Sequence, residues 1–181
     1  MPTVSSVTKL VQDAVRTRLA DATHGFNVTL ESIRASYGFE PFAIDFAKRR
    51  ADATFYEVHL DPRIVAETAR PVWPFATLFI EGFGGGARVV SSRFDGRLTV
   101  GLDVFLSISQ SQPPTEDNRA LAVNDTIIAV FNDVDTFNLW GETTNPITYG
   151  WDIQGNSRLM IGAQNWLHWL EYRIPLGVHV D

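Results

Sequence analysis

Near the start of the chain, apolar residues recur at three- and four-residue steps: Val7, Leu10, Val11, Ala14, Val15 and Leu19. That spacing predicts an amphipathic helix from Val4, with Ser5 and Ser6 available to cap it and Gly25 beyond its end. The polar positions Lys9, Gln12, Asp13, Arg16 and Arg18 are expected to form a solvated face. Between residues 26 and 75, Phe39, Phe42, Phe46, Phe55 and Tyr56 alternate irregularly with charge, and only residues 57–60 read as a short strand. Asp61-Pro62 has the form of an N-cap followed by a first-turn proline, predicting a short helix through Ile64, Val65 and Thr68 that Pro71 and Pro74 end. With so little pattern of its own, the stretch 39–75 is expected to be a protruding arm or inserted loop.

The centre of the chain is more regular. Residues 77–81 predict a short strand and 82–86 a glycine-rich turn. Two strands are expected next, 88–94 and 97–108, joined at Asp95-Gly96, because Asp-Gly suits the positive φ angles of a type I′ hairpin turn. That turn sets Phe94 opposite Arg97, Ser92 opposite Thr99, Val89 opposite Leu102 and Arg88 opposite Asp103. Leu98, Val100, Leu102, Val104, Leu106 and Ile108 then share one face, the core face. A polar loop, 109–115, precedes a second helix capped by Thr115 or Asp117. This helix carries Leu121, Val123, Asn124, Ile127, Ile128, Val130 and Phe131, and ends near Asn132. Residues 147–153 predict another strand. From 166 to 180 the chain alternates again, with Trp166, His168, Leu170, Tyr172, Ile174, Leu176, Val178 and Val180 on one side and Pro175 marking a bulge, break or edge. The expected fold class is α+β: an antiparallel or mixed sheet with the N-terminal helix and the second helix packed on it, one domain over 1–181 plus the 39–75 arm.

Composition narrows the function. With 181 residues, 45% hydrophobic and 20% charged, the chain is long enough to bury a core without staples. It contains no cysteine, which excludes disulfides and thiolate metal sites and is compatible with a reducing compartment. A net charge of −6 argues against general binding to phosphate backbones, which needs clustered Lys and Arg. No apolar run approaches the roughly 20 residues that cross a bilayer, and the first residues lack the pattern of a secretory leader, so a soluble protein with no membrane partner is expected.

Candidate chemistry is sparse. Gly82, Gly84 and Ala87 fit a relaxed dinucleotide fingerprint, but a strand rather than a helix is expected to follow, so phosphate binding is rejected. His24, His59, His168 and His179 lie too far apart for a helical metal pair. His59 and Asp61 could share a strand face as a surface hydrogen bond, and His168 reads as a packed histidine with one nitrogen satisfied. There is no G-x-S-x-G elbow. The carboxylates Asp45, Asp52, Glu57, Asp61, Glu67, Glu81, Asp103 and Glu171 show no spacing that demands an acid/base pair, although a pair assembled across strands leaves no trace in sequence. No catalytic, cofactor-binding or metal-binding residue is therefore expected. Trp166 and Trp169 fall on opposite faces of the last strand, and a tryptophan left outside a core is typical of interfaces. The candidate subunit-contact residues are Trp166, Trp169, Tyr172, Phe42 and Phe46; the alternative is that a second helix or the arm covers that face within one chain.

The order of segments carries a resemblance: an N-terminal helix, then PFATLFIEG, RFDGRLTVGLDVFLSI, EDNRALAVNDTIIAVF and WLHWLEYRIPLGVHVD. In layout, over most of the chain and without a signature motif, this resembles the tail-terminator (tail-completion) family of tailed bacteriophages, with a longer 39–72 segment than minimal members. The resemblance implies a non-enzymatic virion protein of the tail-neck region, assembled in the host cytoplasm. It implies a homo-oligomeric ring, usually of six subunits, that caps the tail tube. Its partners would be the tail tube protein, the head-side connector or neck protein and, in a contractile tail, the sheath protein, with DNA only passing through the lumen. The other readings are a different neck component, and a small-ligand-binding protein or enzyme with a site that sequence does not reveal.

Overall fold

The computed structural model describes residues 4–47, 54–69, 72–84, 94–109, 117–132, 147–150 and 153–180. Among the described residues, four helices, α1 (Val4–Ala20), α2 (Phe26–Tyr37), α3 (Pro62–Glu67) and α4 (Asn118–Asn132), accompany six strands. The strands are β1 (Phe55–Tyr56), β2 (Phe75–Gly84), β3 (Phe94–Ile108), β4 (Ile147–Gly150), β5 (Gln154–Ile161) and β6 (Trp166–Val180). They form one mixed sheet in the order β1-β2-β3-β6-β4, with β5 also paired to β6. The only parallel pairing among the described residues is β1 with β2.

The α+β architecture and the N-terminal helix agree with the pattern analysis. In α1, Val7, Val11, Val15 and Leu19 are buried, as a stripe at helical spacing requires. The polar side of α1 is not the solvated face expected. Arg18 is 7% exposed and donates from Nε and Nη2 to the Val130 carbonyl in the last turn of α4, where carbonyls lack helical partners. Gln12 donates to the Leu78 carbonyl, and Lys9 and Arg16 pair with Glu57 at 3.0 and 3.3 Å. Gly25, read as lying past the end of α1, is the N-cap of α2; an added Cβ would come within 2.3 Å of the Asp21 carbonyl, so the short α1–α2 turn closes only around glycine.

Helix α2 was missing from the pattern reading, and with it the role of the following segment. Ile44, Phe46 and Phe55 are 0%, 1% and 0% exposed and belong to the main core. Phe46 sits between Phe26 and Phe55, with ring centroids 5.4 and 5.1 Å away. The Asn27 amide clamps the Ile44 backbone from both sides, donating to its carbonyl and accepting its N–H. The described parts of the 39–75 stretch therefore pack into the domain, which corrects the expectation of a protruding arm; residues 48–53 and 70–71 lie outside the described residues. Residues 57–60 are not a strand, whereas Asp61 caps α3 as expected, accepting the Arg63 N–H at 2.9 Å.

The Asp95-Gly96 hairpin is also corrected. Strand β3 runs straight through that dipeptide, with Asp95 opposite His179 and Gly96 opposite Val178 of β6. Leu102 faces Leu78 on β2 and Tyr172 on β6, so both edges of β3 are taken; residues 88–93 lie outside the described residues. The facing assignment survives because it depends only on alternation. Leu98, Val100, Leu102, Val104, Leu106 and Ile108 are all buried. Helices α1, α2 and α4 cover this inner face together with Leu170, Tyr172, Ile174, Leu176 and Val178 of β6. Asp117 stands before α4 and accepts the Arg119 N–H; Thr115, the other cap candidate, lies outside the described residues. Pro175 falls where β6 changes partner from β5, which reaches Arg173, to β4, which begins at Leu176, so the missing N–H lies between two ladders.

Candidate functional site

Strand register lays out the outer face of the sheet in rows. Phe75, Phe105 and Trp169 form one row across β2, β3 and β6; Thr77, Asp103 and Glu171 form the next; Phe79, Gly101 and Arg173 form the third. The first row is apolar. Phe75 and Phe105 stack at 4.7 Å, and Val65 and Ala66 of α3 close over them with Leu167 and Trp169. Tyr56, Leu60, Trp73 and Met160 pack around this cluster. The C-terminal carbonyls of α3 are held by the β5–β6 turn: Asn165 Nδ2 donates to the Val65 and Thr68 carbonyls, and an added Cβ on Gly162 would meet the Ala66 carbonyl at 2.4 Å.

This placement decides the candidate contact residues. Trp166 and Trp169 do point to opposite faces, since they pair with Ile108 and Phe105 of β3. Trp169 is covered within the chain by α3 and by residues of the 39–75 stretch, the alternative weighed above. Tyr172 is 2% exposed, and its hydroxyl donates to Asn124 at 2.5 Å. Phe46 is in the core, and Phe42 is half-buried against it, 5.7 Å from Phe39. Phe46, Tyr172 and Trp169 are thus structural residues in the folded chain; Trp166 and Phe42 keep part of their surface.

In the second and third rows the fold assembles what spacing concealed. Arg173 donates Nη1 to Asp103 at 3.1 Å and Nη2 to Glu171 at 2.6 Å, and its Nε lies 2.8 Å from Glu81. Asp103 is fully buried, with its carboxyl pushed up by burial; the hydrogen bond and charge of Arg173 oppose this without cancelling it. The end of the Phe79 ring covers Gly101, where an added Cβ would be 2.4 Å from it, and the ring has the His59 imidazole 4.4 Å and the Arg173 guanidinium 5.2 Å from its centre. The signal that sequence analysis passed over was charge at outward positions of two long apolar strands, Asp103 on β3 and Glu171 and Arg173 on β6.

A second polar site lies at the start of α4. His168 Nδ1 is 3.0 Å from Asp117 Oδ2, and Arg119 donates to the same carboxylate and to the Ser107 carbonyl. His168 therefore has one nitrogen partnered, as read from sequence. Burial acts to raise the Asp117 carboxyl, but the hydrogen bonds from His168 and Arg119 outweigh it and hold the group well below the usual carboxylate range. The arrangement caps and orients α4. Among the described residues no group of three or more metal-ligating side chains converges, and no helix is long and apolar enough to cross a membrane.

The remaining feature is an edge. Strand β5 pairs with β6 over eight consecutive residues without a bulge, and among the described residues nothing pairs with its other side. Leu159 is 49% and Ile161 61% exposed, next to the partly exposed Trp166 that faces Ile161. Between β5 and α4 runs a groove of about 310 Å3 lined by Asn124, Ile128, Ile153, Gly155, Ser157 and Tyr172. Comparison with known proteins adds nothing to this geometry: no protein-family model matches the chain, and no curated protein matches it.

Proposed function

We propose that this chain is a structural assembly protein that joins copies of itself edge to edge, in the manner of the phage tail terminators it resembles. The observation that carries the reading is the β5 edge. Natural proteins blunt long edge strands with lysine, proline, bulges or a covering element, because unpaired N–H and C=O groups template pairing with another chain. Strand β5 is regular, contains neither lysine nor proline, has Arg158 as its one charged residue, and exposes Leu159 and Ile161. An edge so little protected suits a subunit contact made by strand addition. A ring closes when such a heterologous contact repeats by rotation, and the net charge of −6 would keep DNA from adhering to a lumen. In this reading the partners are the tail tube protein, the head-side connector or neck protein and, for a contractile tail, the sheath protein; the protein acts in the virion neck and performs no catalysis.

Native mass spectrometry of the purified protein, alone and mixed with tail tube protein, tests the reading. A closed ring, most simply a hexamer, is expected in one of the two conditions. The double substitution Leu159→Lys and Ile161→Lys should then leave a folded monomer by circular dichroism. Monomers in both conditions would overturn the proposal, and a ring unaffected by the double substitution would move the contact away from β5. The β5–α4 groove favours small-ligand binding as the second reading, since its volume is at the lower end for ligand sites; a bound mass retained on the native monomer would identify that outcome.

A further inference from the structure

Large hydrophobic side chains that the fold leaves exposed gather on one flank of the molecule: Leu121 and Ile128 of α4, Leu159 and Ile161 of β5. Leu121 and Ile128 are two helical turns apart and share a stripe with Asn124, which together with Ile128 lines the β5–α4 groove. Ser157, Leu159 and Ile161 pair with Leu170, His168 and Trp166 of β6, so they point to the face of the sheet that carries the helices. Helix α4 packs over β6 through Leu170 and Tyr172 and stops there; every residue of β5 except Met160 is exposed. The sheet thus runs one strand further than the helical layer above it. Its opposite margin is shielded. There β1 pairs with β2 at Ala76 and Thr77, Gln12 of α1 donates to the Leu78 carbonyl, and a bulge interrupts β2 between Ile80 and Gly82. Two free copies that meet through an open strand edge therefore have β5 to offer on both sides.

We infer that, before assembly, two copies of this chain shield each other by pairing β5 antiparallel to β5 about a two-fold axis perpendicular to the sheet. The inference rests on the reading of β5 as the contact edge and adds its regulation: an edge serves one neighbour at a time, so the pair must part before a ring forms. Such an isologous contact needs a self-complementary patch, and this flank is one. The axis keeps both helical layers on the same side and sets the two β6 strands three strand spacings, about 14 Å, apart. Packed helices stand about 8–10 Å apart, so the two α4 helices leave a narrow cleft. Leu121 and Ile128 of both copies fill it from the sides, and Leu159 and Ile161 form its floor. Directly opposite residues point to the same face, which makes the register place Ser157 or Arg158 opposite its own counterpart; the second choice sets like charges against each other. With Ser157 on the axis, Arg158 stands opposite Asn156, and the outer row runs from Glu171 through Asn156 to the Arg158 of the second copy. That guanidinium, 55% exposed in the single chain, then points at the acidic group of Glu171, Asp103 and Glu81, which Arg173 alone bridges within one chain.

Sedimentation equilibrium and native mass spectrometry of the protein alone, over a dilution series, test the pairing. A two-chain species is expected at the higher concentrations, giving way to single chains on dilution. Ser157→Cys supplies the only thiol in a chain that has no cysteine. Opposite its counterpart it lies within the about 4.4–6.8 Å between Cα atoms that a disulfide spans, so mild oxidation should link two chains. Arg158→Cys, set two residues out of line with its counterpart, should stay unlinked. Ile128→Lys, on α4 and away from the strand edge, should lose the two-chain species while remaining folded by circular dichroism. A wild-type protein that is a single chain at every concentration, with or without a bound small molecule, overturns the inference whether or not the variants fold. So does linkage no greater at Ser157 than at Arg158, or a pair that Ile128→Lys leaves intact. A dimer that never gives a ring with tail tube protein would sink the assembly reading and leave this contact standing; a ring formed on the tube by a protein monomeric on its own would do the reverse.

Discussion

At the scale of single residues, the side chains that matter most are polar ones in positions that pattern assigns to solvent. Arg18 reaches from α1 to the end of α4, and its two hydrogen bonds to the Val130 carbonyl are buried. Arg18→Ala is expected to cost about 2 kcal/mol, the range for a hydrogen bond to a charged group; a loss under about 0.5 kcal/mol in urea denaturation would contradict this. Asp117 makes a second residue-scale prediction with a definite sign. Its depressed carboxyl contributes stability that is present above the unfolded value and lost as pH falls through the folded one. Wild-type stability should therefore drop with acid below the ordinary 3.8, and Asp117→Asn should flatten that acid slope while weakening the protein at neutral pH. An acid slope unchanged by the substitution would assign the effect to other carboxylates. Neither role is visible in sequence, because Arg18 sits where a solvated helix face and a tertiary tie have the same spacing.

At the scale of elements, legibility follows how much local periodicity an element carries. Helix α1, the Asp61-Pro62 start of α3, helix α4 and the alternation of β3 and β6 all stand out, because a buried face repeats at 3.6 or 2 residues. Helix α2 has its buried Phe26 and Leu30 one turn apart, but the aromatic run that follows hid where it ends, at Gly38 with φ +67°. Strand β5, QGNSRLMI, shows no alternation because both of its faces are largely exposed. Asp95-Gly96 misled for a different reason. A turn signal states what a dipeptide permits, and here pairing with β6 along the whole of β3 outweighs it. The packing of the 39–47 segment yields a prediction: Phe46→Ala should destabilise the domain by about 3–5 kcal/mol, as a buried aromatic does. An effect below about 1 kcal/mol in thermal or urea unfolding would restore a peripheral role to this segment.

At the scale of the whole molecule, two layers divide the work: helices close one face of the sheet, while α3 and the aromatic cluster partly close the other. Hydrogen exchange should reflect this arrangement. The β3–β6 ladder, paired over fifteen residues at the centre of the sheet, should be protected longest, and β5 should exchange early in the monomer. If the β5 edge is the subunit contact, its amides should slow on assembly while the β3–β6 amides hardly change; equal exchange of β5 in both states would count against that contact. By itself the sequence determined the α+β class, the inward-facing residues of β3 and β6 and the Asp61 cap of α3, since each is written in the spacing of neighbours along the chain. Only the tertiary structure decided the partners of β3, the burial of Phe46 and Tyr172, and the gathering of Glu81, Asp103 and Glu171 around Arg173. Those depend on which residues distant in sequence come to face one another, and side-chain spacing carries no record of strand order or register.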